Sequence, residues 1–85
     1  MEVNDYYRRS RRITDQLAPR ISPNHRPFVL TAAGAGAWDL AITELVGALS
    51  EEDVVITTAE KDALRELMEY LREPLTYLEQ IRTSG

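Results

Sequence analysis

Eighty-five residues without a cysteine, 28% of them charged and with a net charge of −4, leave room for one small core and no disulfide or thiolate metal site. No run approaches the roughly 20 apolar residues of a membrane helix, and the start of the chain lacks the apolar region of a signal peptide, so a soluble, cytoplasmic protein is expected. The charge is divided: residues 1–26 hold six arginines against Glu2, Asp5 and Asp15, while residues 27–85 hold four bases against eleven acids, which argues against general nucleic-acid binding and for a basic partner.

Val3, Tyr6, Ser10, Ile13 and Leu17 recur at alternating spacings of three and four, which predicts an amphipathic helix over 3–18. Asn4 or Asp5 can cap its start, and Pro19 ends it by removing a backbone donor and disfavouring helical geometry at Ala18. Residues 19–36 form a connector containing Pro19, Pro23, Pro27, Gly34 and Gly36. Within it, either Pro27 opens a short helix over 27–33, or Phe28-Val29-Leu30 crosses the core as an extended loop.

Over 37–50 the helical pattern returns, with Trp38, Ala41, Ile42, Leu45 and Leu49 on one face. Leu40 lies opposite them, beside Asp39, Thr43, Glu44 and Gly47. Either this helix is buried on two sides, or Leu40 is an exposed apolar point in an acidic surface, an arrangement common at protein interfaces. Ser50-Glu51-Glu52-Asp53 ends the helix, and Val54-Val55-Ile56 reads as an extended link into the core or a very short strand. Thr57 and Glu60 have the spacing of a capping box, which opens a helix over 58–72. A further short helix is expected from Pro74 to about Arg82, followed by a frayed Thr83-Ser84-Gly85 tail. Four apolar stripes of helical period and no convincing strand predict an all-α fold, a compact four- to five-helix bundle in one small domain. Its core is expected to join Trp38, Ile42, Leu45, Leu64, Leu67 and Leu71.

Asp62, Glu66, Glu69 and Glu73 fall at i, i+4, i+7 and i+11, a row along the helix side opposite Leu64, Leu67, Met68 and Leu71. Like charges at these spacings repel by about 0.2–0.5 kcal/mol per pair. Arg65 and Arg72 can relieve Asp62 and Glu69, whereas Glu66 and Glu73 have no cation at helical spacing. A row that works against its own helix marks a candidate partner-binding surface. Asp39, Leu40, Glu44, Glu51, Glu52 and Asp53 form a second candidate set.

Catalytic chemistry is not visible. The single histidine, His25, sits in the proline-rich connector without an acidic neighbour in sequence and is expected to be exposed. Ala33-Gly34-Ala35-Gly36 lacks the Lys-Ser/Thr that completes a phosphate-binding loop. Glu51-Glu52-Asp53 lacks the alternating ligands and central glycine of a calcium loop, so neither a metal nor a cofactor is expected.

The run Gly36-Ala37-Trp38-Asp39-Leu40-Ala41-Ile42-Thr43-Glu44-Leu45, then Leu49, Ile56-Thr57, Glu60, Leu64 and Leu67, resembles the small MafI-type immunity proteins of bacterial polymorphic toxin systems. The likeness covers roughly residues 34–71, with Ala37 in place of the family's usual glutamate after the glycine. It implies a cytoplasmic, non-enzymatic protein that binds and neutralises a cognate toxin, in many cases a nuclease. Nucleases grip nucleic acid with basic surfaces, so an acidic inhibitor suits such a partner. The competing readings are an antitoxin-like or transcriptional regulator whose arginine-rich first helix contacts DNA, and a helical subunit of a larger assembly.

Overall fold

Each apolar stripe becomes a helix in the computed structural model, which describes residues 1–85: α1 (Val3–Leu17), α2 (Arg26–Gly34), α3 (Trp38–Glu51), α4 (Thr58–Tyr70) and α5 (Thr76–Gln80), with a 3-10 turn over Ala18–Arg20. The fold is all-α, a five-helix globule with one isolated β-bridge and no strand. Tyr6 meets Tyr70, Arg9 meets Glu66 and Gln16 meets Glu60, so α4 runs antiparallel to α1. At the far end of α1, Ser22 bonds Glu52 at the end of α3, so those two helices run parallel. The bundle therefore has two poles, one holding the starts of α1 and α3 with the end of α4, the other holding residues 18–22 and 50–57.

α3 lies at the centre and packs on all four other helices. One apolar cluster draws on every helix and includes Trp38, Ile42, Leu45, Leu64 and Leu67, with Leu71 half-buried against it. Ile21 and Ile56, from the connecting segments, are fully enclosed in the same cluster.

Helix ends follow local chemistry. The Thr57–Glu60 capping box forms, with the Glu60 amide donating to the Thr57 hydroxyl at 3.0 Å and the Thr57 amide donating to the Glu60 carboxylate at 2.8 Å. The expected cap of α1 is corrected: Glu2 accepts the Asn4 amide at 3.0 Å, while Asp5 is drawn to Arg8 and Arg9. Of the alternatives for residues 27–33, the helix forms, with Pro27 in its first turn where no amide donor is needed.

Three helices stop by the same device, a residue in the left-handed conformation followed by paired backbone bonds into the last turn. After α2 this residue is Gly36 (φ 74°), with the Ala37 amide reaching the Ala32 carbonyl at 2.9 Å. After α3 it is Asp53 (φ 54°), with the Val54 amide on Leu49 at 3.0 Å. After α4 it is Arg72 (φ 57°), with the Glu73 amide on Met68 at 2.9 Å. α4 accordingly ends at Tyr70, before the expected Arg72, and α5 starts at Thr76, two residues beyond the expected Pro74.

The C-terminal residues are held rather than frayed. The Ile56 amide donates to the Arg82 carbonyl at 3.1 Å, Ser84 donates back to Ile56 at 2.9 Å, and the Thr58 amide reaches Gly85 at 3.1 Å. Lys61 Nζ donates to the Ile81 carbonyl at 2.7 Å. The Thr58 bond serves an amide in the first turn of α4, where no helical carbonyl is available.

Candidate protein-binding surface

The row on α4 does not survive as a row. Glu73 lies beyond the left-handed turn at Arg72, so only Asp62, Glu66 and Glu69 share the helix side. Glu66 is not a spare charge, because α1 brings Arg9 Nη1 to 2.5 Å from its carboxylate. Arg65 and Arg72 form no ion pair with Asp62 or Glu69, which stand exposed without a cation within 4.0 Å.

The acidic end of α3 is similarly turned to use within the fold. Glu52 accepts both the amide and the hydroxyl of Ser22 at 2.8 Å, and these bonds hold its carboxyl below the usual glutamate range. Asp53 is gripped at both oxygens by Arg82, at 3.0 and 2.7 Å. Glu51 stands 3.0 Å from His25 Nε2, and Glu52 stands 3.6 Å from it. His25 is thus half-buried between carboxylates and not exposed as the sequence suggested, since the connector folds back onto the end of α3. No group of three or more His, Cys, Asp or Glu side chains is placed to hold a metal ion.

What remains open is one strip of α3. Although the helix is central, Leu40 is 49% exposed, so the exposed alternative for that residue holds. Leu40, Glu44, Gly47 and Glu51 follow at spacings of four, three and four along this strip. Glu44, Gly47 and Glu51 line a shallow cleft whose far wall is Tyr77 of α5, itself 63% exposed. Asp39 and Glu44 have no cation within ion-pair distance.

Gly47 sits in the interior of α3, where glycine costs about 0.5–1 kcal/mol relative to alanine. A Cβ built there would meet nothing within 4 Å, so internal packing does not require the glycine. An exposed leucine and an unexplained helical glycine on one acidic strip are local choices that the fold itself does not explain.

A second feature lay outside the sequence argument. At the pole where α1 and α3 begin, Tyr6 packs against Tyr7 (centroids 5.5 Å apart) and Tyr70 (4.8 Å). Asp39 lies in the first turn of α3 at the same pole; burial, followed by its negative charge, raises the Tyr6 phenol above its ordinary pKa. Tyr7 and Tyr70 keep 46% and 38% of their surface open, next to exposed Met1 and Val3. Tyr7 is off the buried stripe of α1 and could have been flagged from its spacing; Tyr70 joins it only through tertiary packing.

No protein-family model, no curated protein and no solved structure matches this chain.

Proposed function

We propose that this chain is a non-enzymatic, acidic interaction protein, an immunity protein that binds and neutralises a basic toxin, in keeping with its resemblance to the MafI-type family. The observation that carries the reading is the open strip of α3: an exposed leucine, a glycine that lets a partner approach the backbone, and the uncompensated carboxylates of Asp39 and Glu44. Leu40 would supply the desolvated anchor and the acids the encounter field.

The DNA-binding alternative is less well supported by the arginines themselves. Arg8 and Arg9 pair with Asp5, and Arg9 also with Glu66. Arg20 donates to the Val55 carbonyl, and Arg26 to the carbonyls of Ala18 and Ile21. Only Arg11 and Arg12 of the first six have no partner in the fold.

The test is a search for a toxin domain encoded beside this chain, followed by calorimetric binding to its inactivated form. Leu40→Ala combined with Glu44→Lys should weaken the complex by about 1–3 kcal/mol without lowering the melting temperature. Affinity equal to that of the parent would remove the α3 strip from the interface.

A further inference from the structure

We propose that Tyr7 and Tyr70, with the carboxylates of Asp39 and Glu69, form the part of this surface that receives an arginine side chain of the protein partner. The proposal rests on the function proposed above and adds to it the chemistry by which the partner is recognised.

Tyr6 is the fixed centre of the cluster, buried in the core, and the two tilted rings beside it are half open to solvent. Next to Tyr70 the surface dips into a recess lined by Asp5, Arg9, Glu66 and Glu69. Within it the chain already seats one guanidinium: Arg9 lies 3.0 Å from Asp5 and 2.5 Å from Glu66. That pairing satisfies Asp5 and Glu66, while Glu69 and, in the first turn of α3 at the same pole, Asp39 have no cation within 4.0 Å.

The surface therefore offers two unfilled features at one pole, half-exposed tyrosine rings and carboxylates without counter-charge. A guanidinium answers both. It is planar and weakly hydrated, it stacks on tyrosine, and its edge donates hydrogen bonds to carboxylates. An ammonium answers the charge but is more strongly hydrated and stacks less well. A phosphate-bearing ligand would be repelled by Asp39 and Glu69, and a purely apolar one would leave them unpaired.

The experiment titrates the isotopically labelled full chain with three blocked peptides of one sequence, carrying three arginines, three lysines or three citrullines, followed by NMR. The arginine peptide should bind roughly two- to fivefold more tightly than the lysine peptide, the range that an exposed guanidinium–ring contact supplies. The citrulline peptide should not bind, and the largest shifts should fall on Tyr7, Tyr70, Asp39 and Glu69. Tyr7→Leu with Tyr70→Leu should bring the arginine-to-lysine ratio to one, while Tyr7→Phe with Tyr70→Phe, which keeps the rings, should preserve it. Equal affinity for the arginine and lysine peptides would overturn the proposal. So would no arginine binding, shifts confined to another face, or selectivity unchanged in the leucine variant. Arginine selectivity at the tyrosines without any affinity for toxin would support this assignment and overturn the proposed function instead.

Discussion

Glu66 of α4 and Arg9 of α1, fifty-seven positions apart in sequence, meet at 2.5 Å on the surface of the bundle. The same guanidinium reaches Asp5 at 3.0 Å, so a single arginine ties the first turn of α1 to the middle of α4. Glu66 and Glu73, alike in sequence as carboxylates without a helical counter-charge, are therefore unlike in the structure. Glu66→Lys would set an ammonium against Arg9 and should lower stability by about 0.5–1 kcal/mol, in the range of exposed ion pairs. Glu73→Lys, beyond the helix, should stay within about 0.5 kcal/mol. Thermal melts of the two variants check this; identical midpoints would mean that the pair contributes nothing.

Leu67 is completely enclosed between α4 and the rest of the cluster. Leu67→Ala removes buried methyl groups and leaves a cavity in a core too small to close over it, so about 2–5 kcal/mol should be lost. Urea denaturation followed at Trp38, which belongs to the same cluster, reads that loss directly. A midpoint close to the parent's would show that the site collapses without cost.

Arg72 holds a left-handed conformation that costs a side chain with a Cβ about 1–2 kcal/mol, and its guanidinium makes no hydrogen bond or ion pair in return. Arg72→Gly should therefore stabilise the chain by about 0.5–1 kcal/mol once the greater freedom of glycine in the unfolded chain is subtracted. Arg72→Ala keeps the strain and should give no gain. Equal midpoints for the glycine and alanine variants would contradict the backbone argument.

Glu60 gives stability a dependence on acid. Burial at 9% exposure raises its carboxyl pKa, but the Thr57 amide, Gln16 and Arg20 outweigh that effect and hold it below the ordinary glutamate value. A depressed native pKa means that the unfolded chain takes up the proton first. The contribution is thus complete above about pH 4.3, the ordinary glutamate value, and is lost as pH falls through the lower native one. Glu60→Gln should be less stable at pH 7 and show a shallower fall of stability below about pH 5. Parallel pH profiles for the parent and variant would exclude Glu60 as a source of that slope.

α1, α3 and α4 were legible because each buries a stripe of period 3.6 for three turns or more, whereas α2, which buries only Val29 and Ala32, could equally be read as an extended loop. The capping box was legible too, because its two partners are three residues apart. Periodicity says which face is apolar but not how much of the rest is covered, so Leu40 could be placed on a wheel and not in or out of solvent. Ion pairs such as Arg9–Glu66 and Arg82–Asp53 were beyond reach, since they depend on which helices lie side by side. The end of α4 was misplaced because Arg72 carries none of the signals of glycine, although it does the same conformational task. For the candidate surface, the acids were visible as charge; which of them remain without a counter-charge depended on tertiary packing.

The bridge between Ile56 and Thr83 closes a loop that contains all of α4 and α5. Within that loop Lys61 fastens the end of α5 to the first turns of α4, so the two helices are joined at the neck as well as by packing. Held in this way, the segment is expected to open and reclose as one body about Val54 and Val55, where the chain leaves α3. Its amides should then share a single free energy of opening in deuterium exchange, with Ser84, though close to the chain terminus, protected as strongly as Ile56 and less strongly than the amides of α1 and α3.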